Sequence, residues 1–364
     1  MTSVVTVPLP IPGREPVRIC LPEHFDALAH EIRRGTYSPS PTARLLCDLC
    51  EPGVVVADLG AHLGTVALAA SAHGATVVAV EASPGNAACL RSSIRANNFE
   101  NLHVIEAAAS DHSGWLTFCD QGPYGRVTTT EGSETLRVRA ATATSLLKEV
   151  GIDHLDLVKL DVEGHELAAL DGLAPLLERS DAPSVIFESN RHMLHQSGGT
   201  VPELLRRFAE FGYRLYLIEE NELVESGSNV FQAGTVVDYF ATRGNPPWPS
   251  RSPFTLDELA KRVTREASSS LVHSRTSIAR ALLEAPGALL DTNRVRETLA
   301  FLALDPDPAV TDAVAWWSAS PSFPNGGHDL EVIRYLAMQW NTLTLLARAL
   351  HTRINLTQGS GAPT

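Results

Sequence analysis

Residues 155–167 read LDLVKLDVEGHEL, and five chemistry-bearing side chains crowd into positions 159–166: Lys159, Asp161, Glu163, His165 and Glu166. An apolar run precedes them, so the pattern is a buried strand that ends on an acid and turns into a helix. Period-two alternation places Lys159 and Asp161 on one side of that strand, where they can pair. Acids in a first helical turn also gain roughly 0.3–1 kcal/mol each from the helix dipole. The cluster can therefore cap and pair, or it can position and deprotonate an acceptor. Asp161 is favoured for the second role, followed by Glu163 and His165, whose imidazole suits a base near neutral pH. Glu188 closes the later apolar run SVIFES (184–189) and is the fourth candidate. In an open parallel sheet, ligands bind beyond the C-terminal strand ends, where both acids would face an acceptor.

A second constellation lies upstream in VVVADLGAHLG (54–64). A strand ends at Asp58, turns through Gly60 and opens a helix at Gly64, so the backbone can approach a ligand closely. Dinucleotides and S-adenosylmethionine compete for such a turn. A carboxylate at the strand end repels a pyrophosphate and suits a cationic ligand, and Asp-x-Gly-x-x-x-Gly departs from Gly-x-Gly-x-x-Gly. Glu81, 21 positions after Gly60, closes the next strand, where an acid of this fold hydrogen-bonds ribose hydroxyls of either nucleoside. A plain tight turn with a solvated Glu81 is the bland alternative.

These residues need a frame to bring them together. From residue 54 the chain alternates buried-strand runs (54–59, 76–81, 102–108, 155–161, 184–189) with helical stretches (64–74, 83–98, 143–150, 165–178, 201–211). That alternation predicts an α/β fold with a doubly wound, mostly parallel Rossmann-like sheet. YRLYLIEEN (213–221) and GTVVDYFATR (234–243) follow with no helix between them. They predict an antiparallel closing hairpin and seven strands in all. The expected organisation is a strand and helix lead-in over 1–50, the core over 51–243, a Pro-rich linker over 244–253 and a helical region over 254–355. In the last, Ile333, Leu336, Trp340, Leu343, Leu346 and Leu350 make one apolar stripe, and Trp316 and Trp317 stand together.

Composition narrows the partners. The 364 residues are 44% hydrophobic and carry a formal net charge of −13, without a basic run. Nucleic acid is a poor partner for such a chain. No apolar run approaches the ~20 residues of a membrane helix, and the N-terminus lacks a signal-peptide pattern. Five scattered cysteines fit reduced thiols and a cytoplasmic location. Asn245-Pro-Pro-Trp248 matches an amine-methylation motif but follows the last strand of the sheet, where it is a linker.

VADLGAHLGTVAL, VVAVEASPGN, VIEAAASDHSG and LDLVKLDVEGHELAALDGL, in this order, resemble the FkbM-type S-adenosylmethionine-dependent methyltransferases. The resemblance covers roughly residues 30–243. It implies that Asp58, Gly60, Ala61, His62 and Gly64 line the methionine end of the methyl donor, that Glu81 and Ala82 hold its ribose, and that Glu106, Ala107 and Ala108 approach the adenine. RRGTYSPSP (33–41) is similar to the Gly-x-Tyr segment leading into this domain, so Tyr37 either covers the cofactor or packs. Family members carry an Asp in the element before the fourth strand, where this chain has Thr144. The implied reaction is O-methylation of a hydroxyl on a small-molecule acceptor such as a sugar or polyketide-type secondary metabolite. Asp161, Glu188 and Asn190 resemble in position the oxygen ligands of magnesium-dependent catechol-type methyltransferases, so Mg²⁺ is kept as an alternative cofactor, although the FkbM resemblance does not require a metal. A nicotinamide-dependent oxidoreductase is the rival enzyme, and a non-catalytic methyltransferase-fold binding module the rival outside catalysis. The C-terminal helical region is the expected homodimer contact.

Overall fold

The computed structural model describes residues 4–22, 27–120, 125–129, 132, 135–226 and 236–252. The helical region expected over 254–355, with Trp316, Trp317, the apolar stripe and any dimer contact through them, lies outside the described residues. The chain divides into two units, residues 1–228 with 235–251, and residues 229–234 with 252–364. All described elements belong to the first.

An antiparallel hairpin opens the chain, β1 (Val4–Ile11) and β2 (Arg14–Pro22). Helices α1 (Ala27–Arg34) and α2 (Pro41–Leu49) follow; Ser40 caps α2 by accepting the Ala43 N–H, with Pro41 pre-set for the first turn. The alternating region gives β3 (Val55–Leu59), α3 (Thr65–Ala72), β4 (Thr76–Glu81), α4 (Pro84–Asn97) and β5 (Leu102–Glu106). An inserted sheet comes next, from β6 (Ala108–Ala109), β7 (Gly114–Cys119), β8 (Arg126–Val127) and β9 (Thr135–Ala141), in the order β6-β9-β7-β8. Then come α5 (Ala143–Glu149), β10 (Leu157–Leu160), α6 (Glu166–Leu177), β11 (Ser184–Asn190), α7 (Arg191–Gln196), α8 (Val201–Glu210), β12 (Arg214–Ile218), β13 (Leu223–Ser226), β14 (Val236–Thr242) and β15 (Ser250–Arg251).

The main sheet runs β15-β13-β12-β14-β11-β10-β3-β4-β5. Strands β5, β4, β3, β10 and β11 are parallel, and β14 slots antiparallel between β11 and β12. The seven expected strand segments are all in this sheet, which has nine strands because β13 and β15 extend its edge. Four and two residues long, they are too short to show a period. The run expected as one strand over 102–108 splits at Ala107, whose N–H donates to the Glu81 carbonyl, and its end passes into the inserted sheet.

The central strands β3, β4 and β10 bury both faces. On one, Ala57, Val158, Val185 and Ala241 pack with Leu170, Leu173, Leu204 and Phe208 of α6 and α8. Phe187 stacks there between Phe208 and Tyr239, with ring centroids 4.3 and 5.1 Å away. On the other face, Val56, Ala79, Leu157, Ile186 and Phe240 pack against the β1–β2 hairpin and helices α1 to α4. This second face positions the site. Following its rows two residues toward the C-terminal ends of the parallel strands gives Asp58, Glu81, Lys159 and Glu188, and in the antiparallel strand Asp238. The apolar rows thus become charged at one end of the sheet.

Helix α6 lies hard against the inserted sheet. A Cβ on Gly172 would stand 2.0 Å from the Ser110 carbonyl oxygen. Alanine gains about 1 kcal/mol over glycine within a helix, but forced overpacking costs about 1–3 kcal/mol. Against a backbone oxygen the overpacking cost lies at the upper end of that range, so Gly172→Ala should lower the denaturant midpoint, by up to about 2 kcal/mol of stability; an unchanged or raised midpoint would contradict this close approach.

Candidate active site

The β3–α3 turn and the β10–α6 turn meet over the sheet end. Gly60 has φ 87°, and a Cβ there would lie 1.8 Å from the Asp161 carbonyl oxygen. No side chain fits, so glycine lets the two turns touch. His62 and Glu163 also adopt positive φ, 52° and 49°, unusual for residues with a Cβ. Such backbone costs of order 1–3 kcal/mol each and clusters at functional sites. The amides of the turn are spent internally. Gly60 and Ala61 donate to the Val80 carbonyl, Gly64 to the Ala61 carbonyl, and His62 to Glu81 Oε2 at 2.7 Å. Glu81 Oε1 in turn accepts the Ser83 N–H at 2.9 Å, so this buried carboxylate ties β4 to the β3–α3 turn.

A pocket of about 220 Å³ opens beside these turns. Among the residues singled out from the sequence, Gly60, His62, Glu81, Ala82, Ala107, Ala108, Asp161, Glu163 and His165 line it. Its wall also takes Asn86, from the VVAVEASPGN segment, and Leu28, Phe118 and Val127, which no motif announced. Phe118 and Val127 come from strands β7 and β8 of the inserted sheet.

The other expected residues sit elsewhere. Ala61 is buried, and Gly64, at φ 87°, packs under Leu90 at the start of α3. Tyr37 is part of the packing around α2 and α3, its hydroxyl bonded to Thr65. Glu106 turns outward to Arg91 Nη1 at 2.9 Å. Asn190 spends its side chain capping α7 through the Met193 N–H, and Thr144 lies on α5 among Leu147, Ile152 and Leu176. Asp58 is buried and does not line the pocket; its Oδ2 has no hydrogen-bond partner among the described residues. Burial pushes its pKa up to about 7 against the pull of Lys159.

The charges of LDLVKLDVEGHEL resolve individually. Lys159 is buried and donates to Asp161 Oδ2 at 2.7 Å. Burial acts to lower its pKa, but Asp161, Asp238 and Glu188 overcome this and raise it. Asp161, Glu163 and Glu188 each bring one oxygen within 4.8 Å of the others. Burial and then Asp161 raise Glu188 well above the usual range, and burial with Asp161 and Glu166 lifts Glu163 to about 7. Glu166, 1% exposed, accepts the Gly164 N–H at 2.9 Å and so fixes the start of α6. His165 precedes it with Nε2 3.1 Å from Ser110 Oγ, and burial lowers its pKa, keeping the ring neutral. Asp238, opposite Glu188 in register, completes the cluster and accepts the Thr42 hydroxyl at 2.5 Å. A charge inside the apolar run VVDYFA was its signal.

Burial also lifts Glu166 to about 7. Asp58, Glu163 and Glu166 thus have folded pKa values above the ~4 of unfolded chains. Their stabilising contribution is complete below about pH 4 and is lost as pH rises through about 7. Glu166→Gln removes one such group. Its melting temperature should fall less than the wild type's between about pH 5 and about pH 8; parallel curves would contradict a protonated Glu166.

Among the described residues, no helix is long and apolar enough to cross a membrane, and all five cysteines are buried and free. No curated protein matches the chain. Precorrin-6y C5,15-methyltransferase from Geobacter metallireducens GS-15 is 14% identical, with 56% of this chain and 87% of that one covered and a TM-score of 0.34. A ribosomal protein L11 methylase from Lactobacillus delbrueckii subsp. bulgaricus is 18% identical, covering 56% and 78%, at 0.32. The tRNA (uracil-54, C5)-methyltransferase of Pyrococcus abyssi, in complex with S-adenosyl-L-homocysteine, is 14% identical, covering 65% and 43%, at 0.35. Likenesses this distant carry no argument about activity. The family model described as the methyltransferase FkbM domain matches residues 58–215 of the chain.

Proposed function

We propose that the domain uses S-adenosylmethionine to methylate a hydroxyl of a small molecule, of the sugar or polyketide-type metabolite class. The observation that carries this is the chemistry of the pocket wall. Glu81, Asp161 and Glu163 line it, and among the described residues no Arg or Lys does. The Gly60, Ala61, His62 and Gly64 amides are already bonded within the protein. A dinucleotide therefore finds no cation in the pocket lining and none of these four amides free, whereas a ligand carrying a sulfonium and an ammonium finds carboxylates.

The unpartnered Oδ2 of Asp58 and the glycine-only contact at Gly60 fit such a ligand. Glu81 would accept the ribose hydroxyls, and Ala107, Ala108, Phe118 and Val127 would pack the adenine. When bound, the donor supplies a methyl group on a good leaving group. The chain's own part is alignment, exclusion of water and removal of a proton. Asp161 is held through Oδ2 by Lys159, which leaves Oδ1 to take the acceptor's hydroxyl proton. As the O–C bond forms and the C–S bond breaks, the electron pair leaves on sulfur. Oxygen is preferred because Asn245-Pro-Pro-Trp248 lies beyond β14, with Trp248 Nε1 donating to Asp48 at 2.8 Å, far along the chain from the β10 end.

Calorimetry with S-adenosylmethionine tests the first step; no saturable binding to the wild type would sink the proposal. Asp58→Asn should weaken that binding by about tenfold, the scale of one charged contact. Asp161→Asn should bind the donor as the wild type does. In a labelled-methyl screen against a metabolite extract it should lose about 100-fold or more in turnover, the scale of a general base.

A further inference from the structure

We infer that Lys159 is the built-in cation of the acceptor end, positioning Asp161 and filling the electrostatic place of a divalent metal. The inference rests on the methyl-transfer proposal for the role of Asp161. Asp161, Glu163 and Glu188 have oxygens within 4.8 Å of one another, a donor set that hard divalent cations accept. Three carboxylates this close in a half-buried setting need protons or a cation. Lys159 supplies the cation from within. Its Nζ lies 2.7 Å from Asp161 Oδ2, and its charge acts on Asp58, Glu163, Glu188 and Asp238 as well.

The ammonium cannot leave. Lys159 sits in the interior of the sheet on β10, with Asp58 of β3 and Ile186 of β11 as its register partners, and only 6% of it is exposed. A divalent ion seated among the three carboxylates would lie next to this fixed positive charge and be repelled. An ammonium also brings three donors, so holding Asp161 Oδ2 leaves two for neighbouring oxygens. Lys159 thereby keeps Asp161 oriented without touching the reacting atoms.

The full-length chain is titrated with Mn²⁺ near neutral pH, and free Mn²⁺ is followed by electron paramagnetic resonance. The wild type and Lys159→Arg should show no saturable site. Lys159→Met should gain one, binding at least about tenfold tighter than the wild type, and adding Glu188→Gln should remove it. If Lys159→Met fails to fold, Lys159→Gln, which keeps a donor, takes its place. A saturable wild-type site abolished by Glu163→Gln or Glu188→Gln would overturn the inference, because the cluster would then be a metal site. A folded Lys159→Met or Lys159→Gln without new Mn²⁺ uptake would overturn it too, leaving Lys159 an ordinary buried pair. Calorimetry of the wild type with S-adenosylhomocysteine separates the two proposals: no binding there sinks methyl transfer and leaves the Mn²⁺ outcome intact.

Discussion

A buried ammonium costs several kcal/mol unless carboxylates repay it, and crowded carboxylates cost as much unless a cation repays them. Lys159 and the acids around it meet both demands at once. The pair with Asp161 at 2.7 Å is the contact on which the site's geometry depends. It lies at the C-terminal end of β10, in the middle of the nine-stranded sheet, where neighbouring strands deliver Asp58, Glu188 and Asp238 to the same face. A parallel sheet makes this convergence inevitable. All its parallel strands end on one side, so any charge that closes a strand meets the others there.

The price of this convergence is visible in the backbone. Two turns leave adjacent strand ends and touch at Gly60 and Asp161, and His62 and Glu163 take up left-handed conformations to make room. Hydrogen bonds hold that strain in place. Glu81 grips the His62 and Ser83 amides, and Glu166 grips the Gly164 amide. Glu81, expected from the sequence as a ribose ligand, and Glu166 are thus the braces of the turns. Such bracing is stiff, which suits methyl transfer, where alignment supplies most of the catalysis.

The outer wall has a different origin. The inserted sheet contributes Phe118 and Val127 to the pocket, while α1 brings in Leu28. These apolar walls lie between 28 and 127 in the chain, outside every glycine-rich or acidic motif. Their side chains line a pocket only because hairpin and helix fold back over the sheet end.

Local pattern alone announced the alternating elements, the acids at the strand ends and the turn at Gly60. Burial of both sheet faces forces apolar runs, and an acid interrupting such a run stands out. The split of residues 102–108 between two sheets, the short edge strands β13 and β15, and the outward turn of Glu106 toward Arg91 leave no such mark. Each depends on a partner distant in the chain. So does the state of the cluster itself. Lys159 and Asp161 were legible as a pair from their spacing, since alternation is a property of one strand. That Glu188 and Asp238 crowd the same ammonium, and that Asp58 lies buried with its Oδ2 unbonded, was decided by strand order and register, which no single segment encodes.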